Sequence, residues 1–116
     1  VEKAAMDLAM AYFDDAVDVS KEAKGWDIEA RDSLGQILVE VKGLSGHNLC
    51  VELTPNEFAM MGEHKERYIL FVVTSALTQS RLGRVFRFEP VLGGWTSGQG
   101  DQLAIAPIIG ARCTLT

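Results

Sequence analysis

Trp26-Asp-Ile-Glu-Ala-Arg-Asp32 and Gln36-Ile-Leu-Val-Glu-Val-Lys-Gly43, joined through Ser33, Leu34 and Gly35, decide how this chain is read. The second segment is rich in apolar, β-branched residues, and Asp32-Ser-Leu-Gly35 supplies turn chemistry between the two. Together they predict a β-hairpin. Side chains alternate between faces along a strand, which puts Glu40 and Lys42 on one face and Val39 and Val41 on the other. A two-residue turn at Ser33-Leu34 places Asp27 directly opposite Glu40. A three-residue loop ending at Gly35 shifts the pairing by one, unless a bulge restores it. In the first register two carboxylates and an amine converge. Carboxylates that hold a divalent cation, with a lysine near the attacking water, are the arrangement of a metal-dependent phosphodiesterase. The plain alternative is a solvated cross-strand ion-pair ladder, in which each exposed pair contributes only ~0–1 kcal/mol.

Outward from the hairpin, residues 2–17 predict a helix. Ala5, Ala9, Tyr12, Phe13 and Ala16 recur at helical spacing, and Glu2 falls on the face expected to pack inward. Residues 18–25 read as a polar connector. Downstream, Leu49-Cys-Val-Glu-Leu53 predicts a third strand in which Cys50 reads as a small core residue. Thr54-Pro-Asn-Glu57 carries the marks of a helix start, with Thr54 as N-cap, Pro55 in the first turn and Glu57 closing a capping box. The almost wholly apolar Arg67-Tyr-Ile-Leu-Phe-Val-Val-Thr-Ser75 predicts a central strand covered on both faces. Arg84 to Pro90 alternates as a half-buried strand, Gly93 to Asp101 reads as a turn-rich connector, and Gln102 to Thr116 predicts an edge strand.

A length of 116 residues suits one domain with a real core, and 47% hydrophobic with 23% charged residues is ordinary for a globular protein. No apolar run approaches the ~20 residues that span a bilayer, so no membrane role is expected. The chain begins with Val rather than Met, which reads as a processed product or, in preference, a domain cut from a larger protein. Cys50 and Cys113 lack zinc-ligand spacing, and an intracellular, cytoplasmic chain without a disulfide is preferred over a bridged one. The net charge of −5 argues against a passive nucleic-acid-binding module. Charge is unevenly spread: residues 1–62 hold 5 basic and 12 acidic side chains, and residues 63–90 hold 5 basic and 3 acidic.

Asp27, a gap of twelve residues, and Glu40-x-Lys42 resemble the signature of the PD-(D/E)XK nuclease superfamily, the fold of many restriction endonucleases. Five blocks in order narrow the resemblance: Val1-Glu-Lys-Ala-Ala-Met6, Gly25-Trp-Asp-Ile28, Val39-Glu-Val-Lys-Gly43, Leu53-Thr-Pro-Asn-Glu57 and Tyr68-Ile-Leu-Phe-Val-Val73. They are similar to the NO VEIN C-terminal-type domain, an Mrr-like branch. The resemblance implies a restriction-endonuclease-like α/β fold over residues 1–116, with an αβββαβ core, a mixed central sheet flanked by helices, and further C-terminal strands. It implies Asp27 and Glu40 as ligands of Mg²⁺ or Mn²⁺, with the backbone carbonyl of Val41 as a further ligand and Glu2 as a candidate for a second ion. Lys42 completes the catalytic set, orienting water or stabilising the oxyanion. Asn56 is a candidate substrate contact. Arg81, Arg84 and Arg87 are candidate phosphate contacts, since such contacts dominate nucleic-acid affinity. For Glu57 the helix cap is favoured over a functional role. The family's proline before the aspartate is absent, and Trp26 stands in its place.

The activity so implied is endonucleolytic hydrolysis of DNA within an antiviral defence or DNA-processing protein. A helicase or ATPase module, in the same or a partner chain, is the expected companion, and a homodimer is compatible. The rival is a catalytically silent nuclease fold used for docking or nucleic-acid binding.

Overall fold

The computed structural model describes residues 1–116. Helix α1 (Glu2–Tyr12) is followed by β1 (Asp14–Asp18), a 3₁₀ turn at Ser20–Glu22, β2 (Ile28–Asp32), β3 (Gly35–Gly43) and β4 (Cys50–Leu53). Helix α2 (Pro55–Glu63) leads to β5 (Tyr68–Thr74), β6 (Leu82–Glu89), β7 (Gly94–Ser97), β8 (Leu103–Pro107) and β9 (Ala111–Leu115). Six strands form one mixed sheet in the order β1-β2-β3-β5-β6-β7, in which only β3 and β5 pair in parallel. A second, antiparallel sheet has the order β4-β9-β8. The chain is therefore a small mixed α/β domain. No helix is long and apolar enough to cross a membrane.

The main sheet is covered on both faces, which is why β5 is buried at every residue, as its apolar run predicts. On one face α1 sets Ala5 and Ala9, both 0% exposed, against Val39, Ile69, Phe71 and Val73. Small residues bring that helix close: a Cβ added to Gly43 on β3 would stand 2.9 Å from the Ala5 Cβ. On the other face Leu38, Tyr68, Leu70, Val72 and Phe86 meet Met61 of α2 and the inner side of the second sheet. The hydroxyl of Tyr68 donates to the Gly25 carbonyl at 2.8 Å, anchoring the connector that leads to Asp27.

Several expectations need correction. The helix predicted over 2–17 ends at Tyr12, because Phe13 turns extended to bury its ring, and Asp15 then takes a left-handed conformation at φ 54° that short polar residues tolerate. Residues 14–18 add an edge strand to the sheet instead. The third predicted strand forms, but as β4 it leaves the main sheet and pairs with β9. Alternation along β4 buries Val51 and Leu53, so Cys50 faces solvent while Cys113 is the buried cysteine, and both thiols are free. The Gly93–Asp101 connector contains β7, held by Trp95 packed edge-on to Phe88 and Tyr68. The single C-terminal edge strand is a hairpin, β8–β9. Its turn ends at Gly110, where any side chain would collide with the Leu53 carbonyl at the junction with α2.

Candidate active site

The β2–β3 ladder runs Ile28↔Val39 to Asp32↔Gly35, the register of a two-residue turn at Ser33-Leu34. Asp27 stands one residue before the ladder, and its N–H bonds the Val39 carbonyl at 2.8 Å. Past this point β3 has no strand partner on that side, so the Val41 N–H would be left unpaired. The Asp27 carboxylate accepts it at 2.9 Å. In an extended strand the N–H and C=O of one residue point to the same side. The Val41 carbonyl therefore faces the same edge as Asp27.

Asp27, Glu40, Val41, Lys42 and Gly43 line a cavity of about 390 Å³, closed by Glu2, Ala5 and Met6 of α1, Ser20 of the 3₁₀ turn and Glu57 of α2. Glu40 is 2% exposed. Lys42 Nζ lies 2.8 Å from Glu57 Oε1 and 3.3 Å from Glu40 Oε2. Both halves of the capping box are made as well: Glu57 N–H donates to Thr54 Oγ1 at 3.2 Å and Thr54 N–H to Glu57 Oε1 at 2.9 Å.

Three carboxyls share one ammonium, and the proton balance follows from their burial. Burial, then the charges of Asp27 and Glu57, push the Glu40 carboxyl up to about 9. Burial also raises Asp27, against the pull of the Val41 N–H and of a hydrogen bond with Glu40. Burial opposes ionisation of Glu57, yet the Lys42 ammonium and the Thr54 N–H bring it below the usual carboxylate range. Lys42 is lowered by burial but raised overall by the Glu57 bond and the surrounding acids. The short ion pair of the cluster is thus Lys42 with Glu57, while burial and the neighbouring acids hold the Glu40 carboxyl well above the usual carboxylate range.

The raised Glu40 carboxyl has a measurable consequence. Between about pH 4.5 and about 9 the folded state holds a proton on Glu40 that the unfolded state has lost, so stability falls as pH rises through this window. Glu40→Gln supplies a neutral donor of similar shape. Its stability relative to the wild type is expected to rise steadily from pH 5 to pH 9, as read by urea midpoints. Parallel curves for the two proteins would place the proton elsewhere.

The chemistry of this donor set fits a hard divalent cation. Two carboxyls in one cavity and a backbone carbonyl on the same edge are oxygen ligands of the kind Mg²⁺ takes. No group of three or more His, Cys, Asp or Glu side chains is arranged to hold a metal. Such an ion would therefore rest on Asp27, Glu40 and the Val41 carbonyl, with Glu2 at the rim.

The other sequence candidates lie apart from the cavity. Asn56 is exposed and donates to the Ala23 carbonyl at 3.3 Å, tying the start of α2 to the connector. Arg84 pairs with Asp101 at 3.0 Å and Arg87 with Asp32 at 3.1 Å, while Arg81 bonds back to the Thr78 carbonyl. Trp26 donates its indole N–H to Glu29 at 3.0 Å and packs edge-on against His64, fixing the start of β2 without a proline. His47 is an exposed loop residue. Glu57 and Ser20 are the cavity residues that sequence reasoning underweighted or missed. The capping box explained Glu57 too well, and nothing in the sequence marks Ser20.

A mixed α/β domain with a half-enclosed acid–lysine cavity beside the β2–β3 hairpin is the class these features define. The family described as Protein NO VEIN, C-terminal, matches residues 1–87, and the chain belongs to it. All ten residues lining the cavity fall inside that span, whereas β7, β8 and β9 lie beyond it. No curated protein and no solved structure matches the chain.

Proposed function

We propose that this domain is a metal-dependent phosphodiesterase that hydrolyses DNA endonucleolytically, on a restriction-endonuclease-like variant of the α/β fold. The observation that carries the reading is the meeting of Asp27, Glu40 and Lys42 in one cavity, with the Val41 carbonyl on the same edge. Asp27 and Glu40 would hold Mg²⁺ or Mn²⁺, and that ion would acidify the attacking water and neutralise charge on the phosphate. Lys42 supplies a fixed positive charge where negative charge develops in the transition state. Burial of Glu40 keeps water away from the inner side of the site and strengthens each of these interactions. Two features depart from a plain αβββαβ core: β1 intervenes after α1, and β4 sits in its own sheet. Neither disturbs the β2–β3 hairpin that presents the three residues. On this reading the domain acts inside the cell, as one module of a defence or DNA-processing protein, beside a helicase or ATPase.

One observation favours a second reading, a catalytically silent docking module. Lys42 is the only cation lining the cavity, and Arg84 and Arg87 are taken up by acids elsewhere. A nicking assay on supercoiled plasmid and single-stranded DNA separates the two, together with melting curves during a Mg²⁺ titration. The hydrolase reading expects cleavage that stops with EDTA and a melting temperature that climbs with Mg²⁺. An unchanged melting temperature with intact DNA in both Mg²⁺ and Mn²⁺ selects the docking module.

A further inference from the structure

We infer that Glu57 is a positioning residue for Lys42, holding the lysine ammonium at the cavity and coupling its place to the N-terminal cap of α2. The consequence for catalysis rests on the hydrolase reading above, whereas the positioning itself stands on geometry. A single oxygen, Glu57 Oε1, receives both Lys42 Nζ at 2.8 Å and the Thr54 N–H at 2.9 Å. A capping box alone requires only an acceptor at that helix position, and glutamine serves there as well as glutamate. A short bond to an ammonium is a different demand, because charge-assisted hydrogen bonds are about twice as strong as neutral ones.

Glu40 does not replace this hold. It lies farther from Nζ, at 3.3 Å, and is buried at the inner wall of the cavity, whereas Glu57 closes it from α2. A lysine carries four flexible carbons, and its ammonium is readily solvated. Lys42 retains 22% side-chain exposure, so without Glu57 it has an open route to water. The start of α2 is itself tied to the connector before Asp27 by the Asn56 bond to Ala23. The cap, the lysine and the aspartate are therefore held in one frame, although they come from three separate elements.

Crystal structures, melting temperatures and plasmid-cleavage kinetics with Mg²⁺ test this for the wild type, Glu57→Ala, Glu57→Gln and Thr54→Ala. In Glu57→Ala, Lys42 Nζ is expected to leave hydrogen-bond reach of Glu40. Its kcat is expected to fall by up to about 10²-fold, as for a misplaced catalytic group, with KM unchanged. Glu57→Gln restores the lysine's place and part of kcat. Thr54→Ala removes the hydroxyl that caps α2 but keeps the backbone N–H that holds Glu57 Oε1, so it lowers the melting temperature while its kcat falls far less than that of Glu57→Ala, which separates positioning from a merely structural role. A Glu57→Ala protein with Lys42 still in place and the kcat of Thr54→Ala overturns the inference. Absence of cleavage by the wild type overturns the hydrolase reading only, and the position of Lys42 in the Glu57→Ala crystals then decides this one.

Discussion

Lys42→Ala is expected to lower the DNA cleavage rate by about 10²–10³, the loss typical of removing one preorganised electrostatic stabiliser. Lys42 is the one basic side chain among the ten that line the cavity, against four carboxyls from Glu2, Asp27, Glu40 and Glu57. Removing it leaves nothing of the chain's own to offset charge building on a phosphate. The fold should survive, because Lys42 sits near the end of β3 with its ammonium at a solvent-facing cavity, and the ladder bonds to β5 are backbone bonds. Single-turnover nicking at saturating Mg²⁺, with circular dichroism as the fold control, reads the effect. A loss under about tenfold in a folded variant would remove the lysine from the chemistry and leave it as the partner of Glu57.

Asp27, Glu40 and Lys42 were legible in the sequence because strand alternation and a short turn are local rules, and the hairpin obeys them. Position along the chain could not disclose that Glu57 meets Lys42. These two residues stand 15 apart, with β4 between them, and only the docking of α2 across the sheet brings them to 2.8 Å. The helix cap was a sufficient local explanation for Glu57, and a sufficient local explanation hides a tertiary one. The same limit explains β4. Its alternation predicts a strand whichever sheet receives it, and the choice of β9 as partner depends on residues 111–115, sixty positions downstream. Cys50 was misplaced because its neighbours are apolar, whereas in a strand the parity of a residue decides its face, not the company it keeps. The candidacy of Arg84 and Arg87 as phosphate contacts rested on the weight of such contacts in nucleic-acid affinity, which says nothing of the acids that each side chain pairs with. Arg84 and Arg87 are three apart in a strand, so they point to opposite faces and find separate acids.

Phe71→Ala should have the largest effect on stability, a loss of about 3–5 kcal/mol. Phe71 is 1% exposed on the central strand β5, and its ring meets Phe13 at 5.3 Å and Tyr12 at 5.6 Å between centroids. Across the sheet it lies over Gly83 of β6, where an added Cβ would collide with the ring, so the backbone there is shaped to admit it. Truncation would open a void bounded by β5, β6 and the end of α1. The strands cannot close that void without breaking their ladder, so the cost should sit at the upper part of the range for an aromatic deletion. Urea unfolding measures it, with an unchanged denaturant slope showing that the native state stays compact. The ring lies on the α1 face, whereas Glu40 and Lys42 project from the opposite one. Below its lowered melting temperature the variant should therefore keep the pH dependence that Glu40 confers, and loss of that dependence in a folded Phe71→Ala protein would mean that α1 shapes the cavity more than its position at the rim suggests.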